Sequence, residues 1–233
     1  MQRITTLLVV LIVFTALDAR ANLITNGSFE TTVPAVPSGS FNLYSPGNTT
    51  GVPGWTVVGP GVDIGVVNTL FAQSGISFGS EDGNNWVDLT GFNANATEGV
   101  SQTIATNIGD SYTLTFWVGN VDSPATGFGV TSTVHVLADA TSLGSFTNSC
   151  TTCTTTQQWQ MFTATFTASS TSTTLEFLNA DPSNDNDNGL DNVSLVDNGP
   201  AATAAEPSSI ALLASGLFGL AALMRRLGHL HLH

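Results

Sequence analysis

The chain predicts an all-β sandwich held between two apolar end segments. Three observations carry that prediction. Between Asn22 and Pro200, short runs rich in Thr, Val, Phe and Trp alternate with Gly, Asn, Ser and Pro about every dozen residues, the spacing of strands and turns in a sandwich. Period-two alternation is sharp where Tyr112, Leu114, Phe116 and Val118 oppose Thr113, Thr115 and Trp117, and where Phe162, Ala164, Phe166 and Ala168 oppose Thr163, Thr165 and Thr167. One face of such strands meets a core and the other meets water. Outside the ends no apolar run has a helical period, and no unit of 20 to 50 residues repeats.

In chain order, Met1-Gln2-Arg3 is a short positive region, Ile4 to Leu17 an apolar run of 14 residues, and Ala19-Arg20-Ala21 an A-x-A cleavage signature. Residues 1–21 therefore read as a secretory signal peptide. A run of that length is short for a membrane core that takes roughly 20 helical residues to cross. Residues 22–200 form the domain, long enough for one sizeable core. Its clearest strands are Gly99 to Thr106, Tyr112 to Val118, Ser132 to Leu137, Trp159 to Ala168, Thr173 to Asn179 and Leu190 to Val196, within an expected total of about nine to eleven. Thr31 to Thr50 and Asn179 to Gly189, rich in Pro, Asn, Ser, Asp and Gly, read as long surface loops. Residues 201–209 are a linker, 210–226 an apolar helix (Ile210 to Met224) closed by Arg225 and Arg226, and 227–233 a short tail. That helix is marginal as a membrane span, and the arginines favour leaving its end in the cytoplasm.

Charge is one-sided. All but Asp18 and Glu206 of the 17 acids fall in the domain, which contains no Lys or Arg. Such a body repels phosphate backbones and anionic lipid, so nucleic acid is excluded as a partner, and cations are its natural small ligands. With no base available for a salt bridge, any buried acid must be protonated, hydrogen-bonded or metal-bound.

Site chemistry is sparse at this level. Cys150 and Cys153 stand in a Thr-rich stretch, and in an exported protein they predict a small disulfide loop, with free thiols as the alternative. His135 is the domain's only histidine, and no G-x-S-x-G elbow precedes a helix. Asp63, Glu81, Asp82 and Asp88 are enough acids for a glycosidase, yet nothing pairs them. Catalytic residues are therefore expected to be none. Trp86 and Asp88 share a strand face, Trp117 lies on a threonine-rich face, and these three are the candidate ligand-binding residues, since sugars stack on aromatic rings and pair with carboxylates. Burial in the core is the alternative for both tryptophans, and Trp55 is expected there.

The tail Ala205-Glu206-Pro207, short helix and Arg225-Arg226 resembles the PEP-CTERM sorting signal of bacterial surface proteins, although Ala205 stands where a first proline is usual. The resemblance implies an exosortase-like processing enzyme as a partner, transient anchorage in the inner membrane, and delivery to the outer cell surface or extracellular matrix. A plain tail anchor is the alternative.

The ordered set Asn26-Gly27-Ser28-Phe29-Glu30, Val52-Pro53-Gly54-Trp55, Trp86-Val87-Asp88-Leu89, Ser101-Gln102-Thr103 and Gly189-Leu190-Asp191-Asn192-Val193-Ser194-Leu195 resembles the galactose-binding-like jelly rolls, including carbohydrate-binding modules and the choice-of-anchor C domains. It implies a jelly roll with a structural Ca2+ on Glu30 and Asp191, completed by carbonyls; hydrogen bonding of both acids is the alternative. The run Asp181 to Gly189 fails the EF-hand spacing and reads as a solvated acidic turn, from which Asp185 or Asp187 could lend an oxygen to the Asp191 site. The functional expectation is a non-enzymatic exported protein that binds polysaccharide in the extracellular matrix. A structural or adhesive protein with protein partners is the second reading, and a glycan-active hydrolase stands behind both.

Overall fold

The computed structural model describes residues 20–91, 97–182 and 185–201. The signal segment up to residue 19, and the sorting residues Glu206, Pro207, Arg225 and Arg226, lie outside the described residues. Within them the chain is built of strands: β1 (Phe41–Tyr44), β2 (Thr56–Val58), β3 (Ile64–Asn68), β4 (Ala72–Gln73), β5 (Ile76–Ser77), β6 (Asn85–Asp88), β7 (Gly99–Ala105), β8 (Asp110–Asn120), β9 (Ser132–Ala138), β10 (Thr141–Asn148), β11 (Gln158–Thr167), β12 (Ser172–Asn179) and β13 (Gly189–Pro200).

Two antiparallel sheets face each other. One runs β1-β3-β6-β13-β8-β11 and the other β10-β9-β12-β7-β2, with β4-β5 a separate small hairpin. Chain-distant strands interleave in both, as in a jelly roll. The six long strands lie where the alternation places them. The count exceeds the expected one because β4 and β5 have two residues each, too short to show a period. A strand was also hidden in the stretch expected to be a loop from Thr31 to Thr50: Phe41 to Tyr44 pairs with Ile64 to Val67 at the sheet edge, where it needs partners on one side only.

The core lies between the sheets. Leu114, Phe116 and Val118 of β8, Val87 of β6 and Leu190 and Leu195 of β13 pack against Val100, Val134, Val136, Leu175 and Phe177 of the opposite sheet. Each large side chain so buried contributes about 1.5–3 kcal/mol. Trp55 joins them, 1 % exposed, its indole N–H donating to the Asn26 carbonyl at 2.9 Å.

The opening segment runs along the closing strand. The Leu23 amide donates to the Leu195 carbonyl at 2.9 Å, and the Val193 amide donates to the Gly27 carbonyl at 3.0 Å. Gly27 is required there, because a Cβ would sit 2.1 Å from the Val193 carbonyl oxygen.

Candidate functional site

Alternation puts the other residues of the six-stranded sheet on its outer face. Pairing aligns them into two rows. Leu43, Gly65, Asp88, Gly189, Gly119 and Trp159 follow one another across all six strands. Beside them run Phe41, Val67 and Trp86, and then Asp191, Trp117 and Met161. Three glycines in one row lower the sheet surface. A Cβ at Gly119 or Gly189 would come 2.9 Å from the Trp159 ring, which covers both. Gly65 leaves the approach to Asp88 open, the nearest atom to its missing Cβ being the Asp88 Cβ at 3.6 Å.

An aromatic cluster stands on this floor, separate from the sandwich core. Val67, Ile76, Phe78, Trp86, Val121 and Phe128 are buried together, with Phe41, Phe71 and Trp159 packed against them. Phe78 bridges Trp86 and Phe128, at centroid separations of 6.4 and 5.0 Å, and Trp86 meets Trp159 edge-on at 5.9 Å. The β4-β5 hairpin forms one wall and the loop through Thr126, Gly127 and Phe128 forms the other. Indole donors fix the hairpin wall: Trp86 Nε1 donates to the Phe78 carbonyl at 3.0 Å and Trp159 Nε1 to the Gly79 carbonyl at 2.8 Å. Between the walls is a cavity of about 470 Å³ lined by Phe41, Phe71, Phe78, Trp86, Phe128, Asp88 and Asp187 among others, a size suited to a small organic ligand.

Asp88 is half-buried in this apolar wall. The Thr90 hydroxyl and amide both donate to its Oδ1, at 2.6 and 2.9 Å. Burial nevertheless wins and raises its pKa to about 6, the Thr90 hydrogen bonds only offsetting part of the cost.

Three more carboxyls crowd the same end. Asp187 is 1 % exposed, and the Val121 backbone amide is the donor that reaches it, too weak to offset its burial. Burial, followed by the charges of Asp88, Asp185 and Asp181, lifts its pKa well above the ordinary value. Burial also raises Asp185 to about 6. Asp181, whose Oδ1 accepts the Thr133 amide, is raised to about 9 by burial and the Asp185 charge. The stretch expected to be a solvated acidic turn is therefore mostly a buried one: Asp185, Asp187 and Asn188 are each 2 % exposed or less.

Of the expected ligand-binding residues, the structure brings Trp86 and Asp88 together on the cavity wall and leaves Trp117 outside it, half-buried between Asp191 and Met161. Glu30 and Asp191 meet the same loop. Glu30 Oε1 accepts the amides of Asn84 and Asn85 at 2.7 and 2.8 Å, and Asp191 Oδ2 accepts those of Glu81 and Asp82 at 2.9 and 3.0 Å. Burial raises Asp191 to about 8 in spite of these bonds. Among the described residues no three His, Cys, Asp or Glu side chains form a group able to hold a metal. Cys150 and Cys153 are free thiols here. His135 points outward, its Nδ1 3.0 Å from the Ser145 hydroxyl.

Phe41, Phe71, Phe78, Phe128 and Trp159 escape a reading of the sequence as site residues, since they come from four separate segments. One signal was available: glycine inside a strand marks close approach of another group; Gly65 lines the cavity, and Gly119 and Gly189 seat the Trp159 ring that packs on the aromatic cluster. Chemically, the arrangement is an apolar aromatic chamber with carboxylic acids able to stay protonated near neutral pH.

No curated protein is similar enough to match this chain. Among solved structures, the Stig cyclase Fisc from Fischerella sp. TAU, in complex with (3Z)-3-(1-methyl-2-pyrrolidinylidene)-3H-indole, is 20 % identical, over 77 % of this chain and 98 % of its own, with a TM-score of 0.51. A cyclase from Fischerella sp. TAU in complex with 4-(1H-indol-3-yl)butan-2-one is 21 % identical over the same shares, with a TM-score of 0.50. These likenesses show a shared fold. A carbohydrate-binding module, CBM4, is 18 % identical over 75 % of this chain and 99 % of its own, and its TM-score of 0.37 is too low to bear on ligands. The family model that matches, over residues 20–196, is that of the HpiC1-like cyclases. It overturns the expectation of a non-enzymatic protein with no catalytic residues. That expectation rested on the lack of a sequence-local triad or carboxylate pair, whereas an acid made by burial becomes visible only when distant segments close around it. The match spans about three quarters of the 233 residues, and the chain belongs to the HpiC1-like cyclase family.

Proposed function

We propose that this protein is a cyclase that starts ring closure in an apolar, unsaturated substrate by proton transfer from Asp88. The observation that carries the reading is a carboxylic acid of pKa about 6 set in the wall of an aromatic cavity. A general acid works best with a pKa close to the working pH, and burial alone supplies that shift here. The Asp88 carboxyl gives its proton to a carbon–carbon double bond, leaving a cation on the substrate. A second π system of the same molecule attacks that cation, a carbon–carbon bond forms, and loss of a proton returns the Asp88 carboxylate to its acid. Trp86, Phe78 and Phe128 supply ring faces that stabilise a cation once water is excluded. Thr90 holds the donor carboxyl in one orientation. Asp187, kept neutral beside it, avoids a second negative charge that would trap the cation.

The cavity selects a flat, largely apolar molecule. The test uses 4-(1H-indol-3-yl)butan-2-one as a binding probe with calorimetric readout. Asp88→Asn should bind it about as well as the parent protein, while Phe128→Ala and Trp86→Ala should weaken binding. Turnover of alkenyl-indole substrates should disappear in Asp88→Asn. Unchanged turnover in that variant overturns the assignment of the acid.

In the same proposal the enzyme acts outside the cytoplasm, delivered by residues 1–21 and by an exosortase-like partner at the tail. A structural Ca2+ at Glu30 and Asp191 is supported by both carboxylates closing on the 81–85 loop. Its shell would need carbonyl oxygens, because the groups now aimed at these acids are amide N–H donors. Polysaccharide contact is assigned to the open sheet face around Trp117, where Thr113, Thr115, Thr163 and Thr165 present hydroxyls.

A further inference from the structure

The segment joining β10 to β11, residues 149–157, touches both walls of the aromatic cavity. On the hairpin side, the Ser77 amide donates to the Thr155 carbonyl at 3.0 Å and the Gln157 amide to the Ser77 carbonyl at 2.9 Å. Ser77 and Thr156 form a parallel bridge, and Gln157 Nε2 donates to the Gly79 carbonyl at 3.2 Å. On the other side the Asp122 amide donates to the Cys153 carbonyl at 3.1 Å. Asn120 Nδ2 lies 3.4 Å from the Cys150 carbonyl and 3.3 Å from that of Val130. This one strap therefore sets the positions of Phe78 on one wall and, through Val121 and Asp122, of Phe128 on the other.

Both cysteines of the chain sit in that strap. Cys153 is 2 % exposed, and its thiol donates to the Cys150 carbonyl at 2.8 Å. Cys150 is half-buried and reachable from solvent, and the two thiols are in hydrogen-bond contact with each other. An accessible thiol beside a buried one, with two residues between them, is the arrangement in which one sulfur attacks and the other resolves. Their acidities run the same way. Burial acts to raise Cys150, but hydrogen bonds with Cys153 and Thr152 outweigh it and lower its pKa. Burial, and then Cys150 itself, raise that of Cys153.

We propose that Cys150 and Cys153 are a reversible dithiol–disulfide pair, and that closing it stiffens the strap holding both walls of the aromatic cavity. The oxidant is a disulfide, carried by a small thiol compound or by a dithiol oxidoreductase. The Cys150 thiolate attacks one of its sulfurs, and the oxidant's S–S bond breaks to release a thiolate. The Cys153 thiol then loses its proton and attacks the Cys150 sulfur, expelling the second thiolate of the oxidant. Two electrons and two protons leave the protein, and the oxidant gains both. The bond closes a very short loop, so the strap can no longer peel from Ser77 and Asp122 as an open chain.

The test takes the full chain, reduced or treated with oxidised glutathione, and follows intact mass, iodoacetamide labelling and amide hydrogen exchange. Oxidation should remove two hydrogens and all labelling, and it should slow exchange in peptides containing Ser77, Asp122 and Gln157 about tenfold or more. In the reduced protein Cys150 should be labelled before Cys153. Cys153→Ser should stop with one glutathione held on Cys150. Stable glutathione on both cysteines of the parent chain overturns the pairing. A disulfide that leaves exchange in those three peptides unchanged overturns the coupling to the cavity. Neither result depends on the cyclase reading, since neither involves substrate.

Discussion

Replacing Asp88 by Asn tests the electrostatics of the cavity directly. The folded protein holds Asp88 at about 6 against an ordinary 3.8, so between these values the folded state binds a proton that the unfolded chain has lost. The sign follows. The stabilisation is complete below about pH 3.8 and is lost as pH rises through about 6, the opposite of a salt-bridged carboxylate. At 1.36 kcal/mol per pKa unit the whole effect is about 3 kcal/mol, of which about 2 kcal/mol falls between pH 4.5 and 7.5. For a domain of this size that is about 4–8 °C in Tm. Asn keeps the shape and cannot ionise, so it removes this slope. The assay is thermal unfolding of parent and variant, with chelator present, at about pH 4.5 and 7.5. The parent should lose about 4–8 °C more than Asp88→Asn over that interval. Asp181 and Asp185 titrate in both proteins, and Asp187 feels the Asp88 charge, so the difference belongs to the Asp88–Asp187 pair. A constant offset between the two melting curves at both pH values would refute the reasoning.

The remaining predictions concern the same cavity and its surroundings. Turnover should fall as pH rises above about 6, where Asp88 ionises, and Thr90→Ala should move that fall to higher pH, because the Thr90 hydrogen bonds favour the charged form; a pH–rate profile checks both. Gly189→Ala drives a methyl group to 2.9 Å from the Trp159 ring and should cost about 1–3 kcal/mol, read as a lower Tm together with a shift in tryptophan fluorescence. Ca2+ should raise the Tm of chelator-stripped protein if the Glu30–Asp191 ion is held by the folded state alone. Trp117→Ala should weaken retention on polysaccharide without affecting the indole probe, since Trp117 lies outside the cavity.

The long strands were legible because each carries enough residues for its alternation to show, as in Tyr112 to Val118. Trp55 was legible as core from its place after Pro53-Gly54. β1, β4 and β5 were not, since two to four residues cannot display a period and their pairing is decided by partners elsewhere in the chain. Trp86 and Asp88 were legible as a shared face but not as a cavity wall. What encloses them is the hairpin after Leu70 and the loop through Phe128, segments with no sequence relation to β6. The Asp181 to Asp187 run reads as solvated in the sequence because acids in a Pro- and Asn-rich stretch ordinarily face water. Here that stretch is folded inward beneath Thr131 and Thr133, which donate amides to Asp185 and Asp181.

The composition and the cavity chemistry have one cause. In most proteins a buried aspartate is held ionised by a nearby Lys or Arg, which lowers its pKa. Among the described residues only Arg20 carries such a charge, and its guanidinium donates to the Asp197 carbonyl, a residue that the cavity does not include. Nothing in the sandwich therefore opposes desolvation except hydrogen-bond donors, and at Asp187 the Val121 amide is too weak to offset it. Carboxyls carried into the cavity by the sheet register and the inward-folded loop must keep their protons. A folded body with no Lys or Arg at its cavity thus turns ordinary aspartates into acids usable near neutral pH. Placing a single lysine at the rim, for example Gln73→Lys on the hairpin wall, should lower the Asp88 pKa and with it the pH above which turnover is lost.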